Sequence, residues 1–264
     1  MPTSPYTHIP TIVQFLITAH PRSLLDVGLG NGKIGFIARD YLDVMRGERG
    51  KFKRKDWKTK IDGIEVFPEY IQDHQRAIYD EIFIGNAFDV VDTLGNYDMI
   101  VLGDVLEHFE KNQAYRFLDK CIAHSNRHLI VCIPLGEKWT QEAIYGNPYE
   151  RHLSFWSFEE FEPFISNHKI FHYPPGPYGA FLIKKQDYLD YKIKELRKGR
   201  LAGSIAGIAH NRFNPDIIMV RKQTPVSAGH GTAKNDHLLA SSQNRGDKFR
   251  SGFGNTLSKK IIYR

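Results

Sequence analysis

The sequence predicts a doubly wound α/β domain, a mostly parallel seven-stranded sheet with helices on both faces. Two observations carry this. Short, near-continuous apolar runs alternate with amphipathic stretches, the pattern of parallel strands buried on both sides. The first run, Ser23–Gly28, empties into a loop with glycine at alternate positions and then into a helical stretch.

The strands follow in order. Ser23–Gly28, Ile61–Val66, Glu81–Gly85, Asp98–Gly103 and His128–Ile133 form the parallel set. Helices are expected near Lys33–Met45, after Pro68, which suits a first helical turn, and around Gln113–Ala123. Strands near Lys169–His172 and Ala180–Ile183, flanking the Pro174–Gly179 turn cluster, would close the sheet as an antiparallel hairpin. A helix over Ile9–Thr18 falls outside the alternation, Leu189–Arg200 reads as a charged surface helix, and Ala202–Val220 has no clear assignment.

At 264 residues and 41% hydrophobic the chain can bury a full core. No apolar run reaches the roughly 20 residues that span a bilayer. The N-terminus lacks the layout of a secretory signal, and Cys121 and Cys132 form no metal or redox pair. These features point to a cytoplasmic protein. The net charge of +6 is local: Arg46–Lys60 carries +6 and the stretch from Gln223 to the end +5, leaving the remainder acidic. The expected division is a domain over 1–222 with a solvated basic insertion at 46–60, then a basic, aperiodic tail at 223–264. With Phe52 and Trp57 interleaved, the insertion could grip phosphates or an anionic glycan.

The chemistry concentrates in Leu24-Leu25-Asp26-Val27-Gly28-Leu29-Gly30-Asn31-Gly32. Glycines permit a tight turn and let a ligand reach the backbone, and Asp26 adds a negative charge suited to an ammonium group. One frame, Gly30-x-Gly32-x-x-Gly35, formally fits a dinucleotide fingerprint. The other, Asp-x-Gly-x-Gly-x-Gly, uses every special residue. On that frame the sequence resembles the class I S-adenosylmethionine-dependent methyltransferases, particularly bacterial small-molecule and glycan enzymes, with their Rossmann-like fold. The resemblance covers about Leu24 to Lys184 and implies S-adenosylmethionine as cofactor. It implies that Asp26, Gly28, Leu29, Gly30 and Gly32 surround the methionine part, and that Glu65, with Val66 after it, accepts the ribose hydroxyls. Asn86 and Ala87 would face the adenine, Asn86 standing where the family usually has an acid, with Asp89 the alternative for that contact. Asp104 and Leu106 would complete the cofactor wall.

Two further segments match: Gly103-Asp104-Val105-Leu106-Glu107-His108-Phe109, and the Asn147…His152-x-Ser154-x-Trp156 loop. They imply acceptor chemistry after the fourth and fifth strands. His152 and His108 are the candidate bases, a histidine being suited to take a hydroxyl proton near neutral pH, with Asp104 or Glu107 as an orienting or basic carboxylate. Glu107 reads foremost as a helix cap and Trp156 as packing. No paired spacing suggests a metal among His108, His152 and Asp104, and none is expected.

The expected activity is methyl transfer to a nucleophile, foremost a hydroxyl, of a small molecule or sugar or glycan precursor. The alternatives are an RNA methyltransferase using the basic segments, a NAD-dependent oxidoreductase, and a non-catalytic cofactor-binding partner module. Nucleic acid is not the favoured partner, no membrane association is expected, and oligomeric state is not encoded legibly.

Overall fold

The computed structural model describes residues 4–203 apart from 48, 50 and 51. The tail at 223–264 and most of Ala202–Val220 therefore lie outside the described residues. Seven strands form one sheet: β1 (Ser23–Val27), β2 (Lys60–Glu65), β3 (Glu81–Ile84), β4 (Tyr97–Gly103), β5 (Ser125–Pro134), β6 (Asn167–Tyr173) and β7 (Gly176–Lys184). Their spatial order is β3-β2-β1-β4-β5-β7-β6. The first five are parallel, and β7 pairs antiparallel with both β5 and β6. The doubly wound prediction is met, hairpin included.

Successive strand residues serve opposite cores. Leu25, Ile100, Leu102, Leu129 and Val131 join one buried cluster, while Leu24, Met99, Val101, Ile130 and Cys132 join the other. Side chains alternate across a strand, so a strand covered on both faces must be apolar at every position. The first cluster packs on α5 (Lys111–His124) through Phe117, Leu118, Cys121 and Ile122. The second packs on α1 (Ile9–Ala19) through Ile12, Phe15 and Leu16, and on α2 (Lys33–Ala38) through Ile34 and Ile37. Thus α1 covers the sheet rather than standing apart. Both cysteines are buried and free.

Some boundaries differ from the sequence reading. The helix expected to Met45 is α-helical only to Ala38 and continues over Arg39–Val44 with π-helical turns. Pro68 opens a short 3-10 turn, and α3 (Asp73–Ile78) follows. A single turn, α4 (Ala87–Val90), follows β3. The expected charged surface helix is α6 (Lys185–Gly203), and it is not wholly a surface element. Its Tyr188 hydroxyl donates to Asp119 at 2.6 Å, and Lys192 pairs with the same buried carboxylate at 2.8 Å.

The described residues of the basic insertion are mostly exposed, and two of them anchor it. Arg39 stacks over Trp57 at 4.6 Å and pairs with Asp43 and Asp80. Arg54 donates to the carbonyls of Arg76 and Tyr79. Trp57 and Arg54 thus fasten the segment to the π-helical turns after α2 and to the end of α3. Phe52 remains exposed.

Candidate active site

The order of strands reverses between β1 and β4, where open α/β sheets bind ligands beyond the carboxyl ends of their strands. A cavity of about 540 Å³ lies there, within the range of small-molecule sites. Its wall includes Asp26, Gly28, Leu29, Gly30, Glu65, Val66, Asn86, Ala87, Asp104, His108 and His152, all expected from sequence. The same wall carries residues that sequence did not single out, among them Lys33, Tyr70, Gln141, Glu150 and Tyr178.

The loop after β1 closes tightly. Gly28 has φ +68°, and a Cβ there would meet Val105 at 2.9 Å; the Gly28 and Leu29 amides both donate to the Ile64 carbonyl. Glu65 then grips the loop from β2: one carboxylate oxygen accepts from the Gly30 amide at 3.0 Å and the other from Phe67 at 2.9 Å. Burial raises the Glu65 pKa, and those amide bonds oppose the rise. Gly30 N–H is therefore engaged by the protein itself.

Asp26 is 2% exposed and accepts the Tyr79 hydroxyl, which in turn accepts from the Gly35 amide at 3.1 Å. Burial raises its pKa to about 7, with the Tyr79 and Gly35 bonds working against the rise. Two of the expected cofactor residues stand back from the cavity wall. Gly32, at φ +76°, begins α2 outside the cavity wall, where a Cβ would crowd Gln75. Leu106 points into the hydrophobic core and does not line the cavity. Asn86 is exposed and caps α4, its Oδ1 accepting from Phe88 at 3.0 Å.

The second half of the site is built after β4. Asp104 continues the ladder through an amide bond to Cys132, then turns at φ +55°, an uncommon conformation for a residue with a side chain and one often found at functional sites. Its Oδ1 accepts the Tyr178 hydroxyl at 2.7 Å, and burial raises its pKa. Glu107 follows in a 3-10 turn, and its expected capping role is not what the structure shows. Glu110 precedes α5, and the Glu107 carboxylate is 1% exposed with neither oxygen hydrogen-bonded. Burial, then the neighbouring Asp104, push its pKa well up.

The Glu107 backbone also organises the loop from far along the chain, since its carbonyl accepts from both Leu153 and Ser154 at 2.7 and 3.1 Å. In this extended segment alternate residues face inward. Ser154 and Trp156 are buried and bonded to each other at 3.1 Å, while Leu153 and Phe155 are exposed. His152 shares the inward side, and its Nδ1–H donates to the Trp139 carbonyl at 2.7 Å. His108 Nδ1–H donates to the Arg151 carbonyl at 3.1 Å, and burial lowers its pKa to about 4. The two rings lie edge to face with centroids 5.0 Å apart. Glu150, beside them in sequence, accepts from Tyr70 and Asn147 at 3.0 and 3.2 Å. The sequence signal for Glu150 and Asn147 was their place in the same polar, aromatic loop; Tyr70 and Tyr178 gave none.

Among solved structures, the chain is similar to a putative O-methyltransferase from Nostoc punctiforme, at 19% identity over 67% of this chain and a TM-score of 0.46. It spans 55% of that protein's length. The N-terminal domain of EvdMO1, solved with S-adenosylhomocysteine and D-fucose, is 13% identical over 69% of this chain and 84% of its own, with a TM-score of 0.47. Magnesium protoporphyrin IX methyltransferase from Synechocystis, with bound S-adenosylhomocysteine, is 11% identical over 67% and 81%, with a TM-score of 0.46. No family model and no curated protein matches the chain. The doubly wound assignment rests on the strand order itself.

Proposed function

We propose that this protein is an S-adenosylmethionine-dependent methyltransferase acting on an oxygen nucleophile of a small molecule or sugar-like acceptor. One observation carries the reading: Glu65 at the end of β2 and the glycine loop after β1 open into the same cavity as Asp104, His108 and His152. A nucleoside with two hydroxyls suits the first group of residues, and an ionisable acceptor suits the second. The cofactor's sulfonium methyl is already activated, so this chain's share is to hold an acceptor in line with the methyl–sulfur bond and to exclude water. Positioning of that kind contributes up to about 7–11 kcal/mol. Asp104, His108 and His152 stand where the acceptor hydroxyl would lose its proton. A nucleic-acid acceptor is less favoured, because the positive charge is confined to 46–60 and to the stretch from Gln223 on, and the rest of the chain is acidic.

Thermal unfolding in parallel with S-adenosylhomocysteine, S-adenosylmethionine and NAD tests the cofactor. Saturable stabilisation by the two sulfur compounds is expected, about 2.7 kcal/mol at a hundredfold excess over Kd, and Glu65→Ala should abolish it. A shift with NAD alone would restore the oxidoreductase reading and end this one.

A further inference from the structure

Glu107 presents a chemical problem that the proposed methyl transfer does not solve. Its carboxylate is almost wholly out of water, and neither oxygen has a hydrogen-bond partner. Asp104, next to it, has one oxygen in the same condition, Oδ2. Two neighbouring carboxyl groups sheltered from solvent are settled either by holding protons or by a cation between them and other donors.

The groups around them fit one. A nitrogen from each of His108 and His152 and an oxygen of Glu107 lie within 4.8 Å of one another. Both Nδ1 atoms are committed to backbone carbonyls, of Arg151 and Trp139. That fixes each tautomer and leaves the Nε2 lone pairs as the available donors. A ligating histidine is ordinarily held in this manner, its other ring N–H donated to a carbonyl or carboxylate. Two imidazoles and a carboxylate suit a first-row transition cation better than magnesium or calcium, which prefer oxygen alone. Three protein ligands also leave coordination positions open, and all three residues line the cavity.

We propose that Glu107, His108 and His152 bind one divalent first-row transition cation whose open positions face the cavity and receive the acceptor's hydroxyl oxygen. The identity of that oxygen rests on the methyltransferase reading; cation binding does not. A dication acidifies a hydroxyl beside it. The hydroxyl proton then passes to the Asp104 carboxylate, the oxygen bonds to the methyl carbon, and the methyl–sulfur bond breaks with its electron pair going to sulfur.

The test is titration of the chelator-treated full chain with Co2+, followed by visible absorption and calorimetry. One equivalent is expected to bind, and His108→Ala, His152→Ala and Glu107→Gln should each weaken it at least tenfold while far-ultraviolet circular dichroism is unchanged. Should Glu107→Gln fail to fold, the two histidine variants decide. No binding by the wild type, or undiminished binding in the folded variants, overturns the proposal. Co2+ binding lost in the variants, in a protein that S-adenosylhomocysteine does not stabilise, would uphold the cation site while removing the methyltransferase reading.

Discussion

The Tyr79 hydroxyl does two tasks at once, donating to Asp26 and accepting from the Gly35 amide. Both partners belong to the segment that shapes the glycine loop, and both are buried. Tyr79→Phe leaves a buried acid and a buried amide unsatisfied, so we expect a loss of about 1–3 kcal/mol or more. Urea unfolding with an unchanged m-value would register it. Sequence alone identified Asp26 through its place before the glycines, but gave Tyr79 no part, because the contact crosses 53 positions. The same holds for Glu107: a residue three places after Asp104 looks like a cap until its carboxylate is seen to face inward with no partner.

At the level of elements, α6 is held by a buried triad of Lys192, Tyr188 and Asp119 beside the apolar contacts of Leu189 and Tyr191. Removing one member of a buried ion pair strands the other. Lys192→Ala should therefore cost roughly 3–5 kcal/mol, measured by chemical unfolding, far more than the near-zero effect expected of a residue on a surface helix. The central parallel strands β1, β4 and β5 were legible because burial on both faces leaves a nearly unbroken apolar signature, whereas β3 at the edge is exposed at both ends. The hairpin was legible from its proline and glycine turn. Helix type was not: the passage from α-helical to π-helical turns at Arg39 follows from tertiary bonds to Asp80 and to the Ile78 and Thr59 carbonyls, which no local pattern encodes. The histidine pair was half legible. Each ring was a candidate in its own segment, but their meeting depends on the Glu107 carbonyl drawing in the loop at Leu153 and Ser154.

For the molecule as a whole, two buried groups pull its acid stability in opposite directions. Burial raises the Asp26 pKa to about 7, so between its ordinary value and pH 7 the folded state holds more protons than the unfolded, and stability falls as pH rises. His8 stacks on Tyr178 with centroids 5.0 Å apart, and burial lowers its pKa to about 4. There the unfolded state holds more protons between pH 4 and 6.5, and stability is lost as pH falls. Asp26→Asn should thus lose ground to the wild type at pH 5 and recover by pH 7.5, whereas His8→Phe should gain at pH 5 relative to its standing at pH 7.5. Thermal scans across that range check both signs.

The close approach of α2 to the ring of Tyr79 also has a consequence for how this sequence can drift over generations. A methyl group on Gly35 would come within 2.3 Å of that ring. The glycine is then not free to vary alone: lineages that keep the tyrosine must keep the glycine, and those that lose the bulk of the ring are released to fill the space from the helix. The two should be inherited as a single character, with Asp26 tied to them through the hydroxyl.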